Sequence, residues 1–214
     1  ANVAGVEDLP ALQKGMLAAH KVGKAAIKAV RSDLPVGFSL AMMDDQAVGK
    51  NSIRNAMRQE LYGAWLEVAK TDDFLGVQNY ERALWTDKDR LPAPKGSVVN
   101  WGGTEVWAPS LAGAVRYAHL ATGVPILVSE HGVGTTDDSV RQTFIPAALA
   151  DLKRAIDDGV PVLGYCHWSL LDNFEWIFGY KPKFGLHSVD PVTFVRRAKP
   201  SAAVYGAIAR RNAL

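Results

Sequence analysis

One cysteine, Cys166, stands in the whole chain of 214 residues. An intrachain disulfide is therefore excluded, and so is a Cys-x-x-Cys metal or redox pair. Cys166 lies in an apolar run and is expected to be a small core residue. No apolar stretch reaches the roughly 18–20 residues that a membrane-crossing helix needs. The start, Ala1-Asn2-Val3-Ala4-Gly5, has no basic segment followed by an apolar one, so it does not read as a secretory signal. A cytoplasmic location is expected on that ground. Charge of one sign is also missing. The formal net charge is +2, which gives no pull toward nucleic acid. Arg196-Arg197 reads as solvated surface rather than a phosphate site. No Gly-rich phosphate loop follows any apolar run, and no cofactor is expected. His167 has no carboxylate or second histidine at ligand spacing, so no metal is expected.

What is present is a hydrophobic fraction of 48%, enough for one sizeable core or at most two small ones. Leu9, Leu12, Met16, Ala19, Val22, Ala26 and Val30 recur at helical spacing, which predicts an amphipathic helix over about 9–31. A strand is expected over 35–42, then a helix carrying Ile53, Met57, Leu61, Ala64 and Val68. A second strand is expected over 74–80, followed by a long polar loop with Pro92, Pro94 and Gly96. Pro109 suits the first turn of a helix that ends near Thr122-Gly123. A strand over 124–130 precedes a helix at about 138–158, with Val140, Phe144, Leu149, Leu152 and Ile156 facing inward. Gly159 is its expected C-cap. Val160 to Leu170 forms the fourth strand, and Pro200 opens the last helix. His20 and His119 fall in helical patterns and read as structural or exposed. Glu60, Glu67 and Glu81 read as ordinary helix or loop charges.

The pattern is one helix, then strand and helix four times, which means a parallel sheet. Four strands cannot close a (β/α)8 barrel, which needs eight. Alone they would expose two sheet edges. A flavodoxin-like doubly wound sheet is the alternative, disfavoured by the missing phosphate loop. The chain is therefore expected to supply about the last four βα units of a TIM barrel. The other half would come from a second chain or an N-terminal portion. Two strand ends carry the chemistry. Glu130 closes the run Val124-Pro125-Ile126-Leu127-Val128-Ser129, and Trp168-Ser169-Leu170-Leu171-Asp172-Asn173-Phe174-Glu175-Trp176 closes the next strand. In α/β barrels the C-terminal strand ends hold the active site. Two acidic and aromatic ends one repeat apart suggest a sugar site.

These segments resemble glycoside hydrolase family 1, the β-glucosidase family. Val128-Ser129-Glu130-His131-Gly132 is similar to its nucleophile motif I-T-E-N-G. Trp168 to Trp176 matches W-S-L-L-D-N-F-E-W. Gly179-Tyr180-Lys181-Pro182-Lys183-Phe184-Gly185-Leu186, with Val189-Asp190, resembles G-Y-x-x-R-F-G-L…V-D. Phe74 to Tyr80 resembles F-L-G-I-N-Y-Y, and Glu105-Val106-Trp107-Ala108-Pro109 echoes W-E-V-Y-P. The motifs keep the family's order from residue 74 to about 205, and the helix at 9–31 fits the one after its fourth strand. The resemblance implies a TIM barrel and a retaining β-glycosidase. Such enzymes use two carboxyl groups about 5–5.5 Å apart, one as nucleophile and one as acid/base.

By the same resemblance Glu130 would be the nucleophile and Tyr80 would hydrogen-bond and orient it. Trp168 would lie against the sugar's apolar face. Glu175 and Trp176 would bond hydroxyls at the non-reducing end, while Gln78 and Phe184 would contact the substrate. The family's acid/base motif, Asn-Glu-Pro, occurs nowhere in the chain. Only the assembled barrel is expected to be active, with the N-terminal half as partner. Gln78 replaces an asparagine, His131 an asparagine and Lys183 an arginine. Thr104 stands where a tryptophan is usual, which puts an aromatic platform on the leaving-group side in doubt. A carboxylate at 175 would repel phosphate, so an unphosphorylated glucoside, fucoside or galactoside is favoured. Two other readings are a non-hydrolytic sugar binder on this scaffold and a self-associating half-barrel module.

Overall fold

A computed structural model describes residues 9–213. The reading of Ala1 to Gly5 falls outside the described residues. A helix α1 (Leu9–Val30) precedes strand β1 (Gly37–Ala41) and a short strand β2 (Asp44–Ala47). Helix α2 (Arg54–Ala69) leads to β3 (Phe74–Asn79) and a short β4 (Arg82–Trp85). Helix α3 (Ser110–Thr122), β5 (Ile126–His131), α4 (Asp138–Asp157) and β6 (Val162–His167) follow. A single 3-10 turn (Trp176–Phe178), a hairpin of β7 (His187–Val189) with β8 (Arg196–Ala198), and α5 (Pro200–Arg211) complete the chain.

The main sheet is parallel with the order β1-β3-β5-β6. That order follows the chain without a reversal. It excludes the doubly wound alternative, in which the strand order must turn back at a switch point. The strands show what each face meets. Leu75 and Val77 of β3 and Ile126 and Val128 of β5 are fully buried against Leu66, Leu111, Val115, Ala148 and Leu152 of the helices. Burying each large apolar side chain contributes about 1.5–3 kcal/mol. The opposite face carries small or polar residues: Ser39, Gly76 and Ser129 meet there, because a side chain at Gly76 would overlap Ser39 and crowd Ser129. Ala41 on that face is exposed. This is the inner wall of a barrel, of which the chain holds four strands.

Local signals set the helix ends. Asp137 accepts the Ser139 N–H at 2.9 Å and caps α4. Gly123 ends α3 in the left-handed region, where its N–H reaches the His119 carbonyl. Pro109 sits one step earlier than expected, at the N-cap position of α3. Helix α5 is anchored at its start, where Asp138 accepts from both the Ser201 N–H and hydroxyl at 2.8 and 2.7 Å.

Several sequence expectations need correction. The stretch after Tyr80 is not only loop: β4 pairs in parallel with β2, which prolongs the β1–β3 pair beyond the barrel rim. The inward face of α4 is Arg141, Phe144, Ile145, Ala148, Leu152 and Ala155, while Ile156 is exposed. Helix α1 buries no residue. It is held by polar contacts, His20 and Lys24 to Asp72 and Lys28 to Asp73. Cys166 is exposed rather than core. It lies on β6, the last strand of the sheet, where one edge has no neighbouring strand and cannot cover it.

Candidate active site

The seven residues singled out from the sequence line one cavity of about 550 Å³. They are Gln78, Tyr80, Glu130, Trp168, Glu175, Trp176 and Phe184, contributed by the ends of three strands and the loop beyond β6. Gln78 and Tyr80 are two residues apart on β3 and its exit, so their side chains share a face. Glu130 meets them through a register irregularity. Val77 is opposite Val128, but Gln78 is opposite Glu130, so Ser129 is passed over. Such an extra residue re-aims the side chain that follows.

Glu130 is held on both oxygens. The Gln78 amide donates to Oε1 at 2.6 Å, and the Tyr80 hydroxyl donates to Oε2. Burial, and then the hydrogen bond to Glu130, push the Tyr80 phenol far above its ordinary range, so it remains a donor. Phe184 packs edge-on against Tyr80 with ring centroids 5.6 Å apart.

Across the cavity the Trp168 indole N–H donates to Glu175 Oε1 at 3.2 Å. Glu175 is almost wholly buried. Burial raises its carboxyl above the ordinary range; the Trp168 bond opposes this, and the charge of Glu130 adds to it. Trp176 stands at the rim, 81% exposed. The loop that carries these groups is pinned by Asp172, which accepts from the Gly185 N–H at 2.8 Å and from Lys199 at 2.9 Å. Gly185 has no room for a side chain, since a Cβ would overlap the backbone of Leu171 and Asp172.

Sequence reading missed Trp101. It lines the cavity, packs edge-on against Phe178 at 4.8 Å, and is fixed by its backbone N–H, which donates to the Gly134 carbonyl at 2.9 Å. Thr104, the expected point of loss for an aromatic platform, faces a separate small crevice with Arg82 and Pro94. An aromatic wall is therefore present, three residues earlier in the chain. Gly134 makes this wall possible, because a Cβ there would overlap both Trp101 and Phe184. His131 is fully buried beside Glu130 and points away from the cavity, onto Phe144 and Tyr165. Among the described residues, no group of three or more His, Cys, Asp or Glu is placed to hold a metal ion. Among them also, no helix is long and apolar enough to cross a membrane.

The chemistry of this arrangement is that of a sugar pocket: an oriented carboxylate, a second buried carboxyl able to take hydroxyls, and aromatic walls. Comparison with known proteins gives the same direction. The family profile of "Glycosyl hydrolase family 1" matches residues 114–214. A "Beta-galactosidase" of Pyrococcus woesei is 33% identical over 143 residues, which is 65% of this chain and 27% of that protein. A "Beta-glucosidase" of an Agrobacterium species is 37% identical over 129 residues, 56% of this chain and 28% of that protein. Among solved structures, the apo form of "beta-glucosidase 1317" superposes with a TM-score of 0.88 at 37% identity, covering 93% of this chain and 49% of that one. The chain thus spans about half the length of the solved barrel it matches.

Proposed function

We propose that this chain, which belongs to glycosyl hydrolase family 1, supplies the last four βα units of that family's barrel and carries the nucleophile and sugar-binding wall of a retaining β-glycosidase. The observation that carries the reading is the Glu130 carboxylate, engaged by Gln78 and Tyr80 and facing Trp168 and Glu175 across one cavity.

In the proposed reaction, a carboxylate oxygen of Glu130 attacks the anomeric carbon and the glycosidic C–O bond breaks. The leaving oxygen takes a proton from an acid that this chain does not contain in an Asn-Glu-Pro motif; we assign it to the N-terminal half of the barrel. Water, activated by the same group as base, then releases the sugar from Glu130. Tyr80 keeps the nucleophile aligned through its hydroxyl bond to Oε2. Trp168 offers an apolar face to the ring. Glu175 and the Trp176 indole N–H bond hydroxyls at the non-reducing end, and Phe184 closes the wall. A carboxyl at 175 disfavours a phosphorylated sugar, so the substrate is a terminal, unphosphorylated β-glucoside, galactoside or fucoside. A site that pairs buried polar groups with hydroxyls discriminates strongly against sugars that misplace them.

The test is the full-length protein with aryl β-glycosides, followed by Glu130→Gln. Wild-type turnover that disappears in the variant, with sugar binding kept, is the expected result. A 2-deoxy-2-fluoro glycoside should attach to the peptide containing Glu130. Near-normal turnover in Glu130→Gln, or attachment elsewhere, removes Glu130 as nucleophile.

A further inference from the structure

Three polar groups behind the cavity have no task in the reaction just described. His131 ends β5, and Tyr165 and His167 lie at the end of strand β6, two residues apart. His131 Nδ1 lies 2.9 Å from the Tyr165 hydroxyl, and His167 Nδ1 lies 3.2 Å from the same oxygen. The His131 ring stacks on Phe144 of α4, with centroids 4.9 Å apart. Tyr205 of α5 closes the cluster, 5.9 Å from Tyr165 and 5.8 Å from His167. The Nε2 atoms of both histidines are buried and make no hydrogen bond among the described residues. The Tyr165 hydroxyl is thus the polar anchor that the two rings share.

Proton counting constrains this bridge. A phenol has one O–H, and a neutral imidazole has one N–H. The hydroxyl can donate to only one Nδ1. The other Nδ1 must carry its own hydrogen and donate to the phenol oxygen. The arrangement that uses every proton at the bridge therefore has one histidine in each tautomer. Both rings stay neutral: burial, with His167 nearby, holds His131 down to about 3, and burial, with the Arg141 charge, holds His167 down to about 4.

The placement links two parts of the site. His131 directly follows Glu130, and His167 directly precedes Trp168. The two histidines are register partners, and the Trp168 N–H donates to the His131 carbonyl at 2.9 Å. We propose that His131, Tyr165 and His167 act as one positioning unit that sets the Glu130 carboxylate relative to the Trp168–Glu175 wall. The proposal rests on the reading of Glu130 as nucleophile. The unit touches no substrate. It acts on the geometry of attack, which governs the transition state more than ground-state binding.

The experiment uses the full-length protein and four variants: Tyr165→Phe, His131→Leu, His167→Leu and the double histidine variant. Rates with an aryl β-glucoside are divided by the sites trapped with a 2-fluoro sugar, which removes any effect of unfolded protein. Tyr165→Phe should lower kcat about tenfold to a hundredfold and leave KM within about twofold. The double variant should be no slower than the worse single one, because members of one unit are not additive. Wild-type kcat per trapped site in Tyr165→Phe overturns the proposal, and so do single losses that multiply. If the wild type hydrolyses no β-glycoside, the function reading has failed instead. Nitrogen spectra of labelled histidine then decide the bridge: one ring of each tautomer supports it, and two of the same kind overturn it.

Discussion

Gln78 and Glu130 are partners across β3 and β5 only because Ser129 is passed over in the pairing. In an unbroken register Ser129 would stand opposite Gln78, and Glu130 would be displaced from the amide that now meets it at 2.6 Å. Tyr80, two residues beyond Gln78, reaches the other carboxylate oxygen. One strand thus presents both donors, and one irregularity presents the acceptor to them.

Tyr80→Phe removes the hydrogen bond to the Glu130 carboxyl and leaves the ring that packs on Phe184. Bonds to charged groups contribute about 1.5–3 kcal/mol, so kcat/KM on an aryl β-glycoside should fall about tenfold to a hundredfold. Thermal unfolding should move little. Unchanged kinetics would remove Tyr80 from the role proposed for it beside Glu130.

Glu175→Gln keeps the shape of the pocket wall and removes the charge. Steady-state kinetics on glucosides and galactosides should show kcat/KM lower by about a hundredfold or more, since the buried site then offers hydroxyls a poorer acceptor. The folded state should lose nothing, because burial already disfavours the charged form of this group. Equal losses of activity and of unfolding midpoint would make Glu175 a structural residue.

Gly132→Ala should damage both stability and rate. A Cβ at this position would overlap the Trp168 carbonyl oxygen, where the ends of β5 and β6 meet. Overpacking against backbone costs about 1–3 kcal/mol. Urea titration and kinetics would check it. A variant with wild-type stability would show that the two strand ends separate freely.

The pH dependence of stability follows from His131. Its folded value, about 3, lies below the ordinary 6.5 because burial disfavours the cation. A depressed value means that the unfolded chain takes the proton first. The contribution is fully present above about pH 6.5 and is lost as pH falls from there toward 3. Between pH 7 and pH 5 His131 alone should remove about 2 kcal/mol of stability. His167, held at about 4, acts in the same sense. Among the described residues, the titratable groups facing these rings are Tyr165, Tyr205, Arg141 and one another, with no carboxylate among them to reverse the sign. Denaturant midpoints at pH 7 and 5 for wild type and His131→Asn should converge as pH falls. A constant gap between them would contradict the assignment.

Much of the site was legible in the chain because strand periodicity and strand-end chemistry are local. Glu130 and the Trp168–Trp176 segment close apolar runs, and a parallel sheet puts such ends on one rim. The missed features are non-local. Trp101 comes from a polar loop whose course depends on Gly134, thirty-odd residues away in sequence, making room for it. The β2–β4 pair has too few apolar residues to show as strands and forms because β1 and β3 already lie side by side. Cys166 and Ile156 carry apolar side chains to places that the other described residues do not cover.

The sequence by itself determined the order of the helices and the four main strands, the parallel character of their sheet and the residue types at the rim. Hydrophobic period, caps and strand-end carboxylates are all properties of neighbours along the chain. Only the tertiary structure decided which donors meet Glu130, which aromatic residue walls the cavity and how the two buried histidines share one hydroxyl. Those outcomes depend on register and on close approach between strands and loops far apart in sequence, where a shift of one residue turns a side chain to the other face.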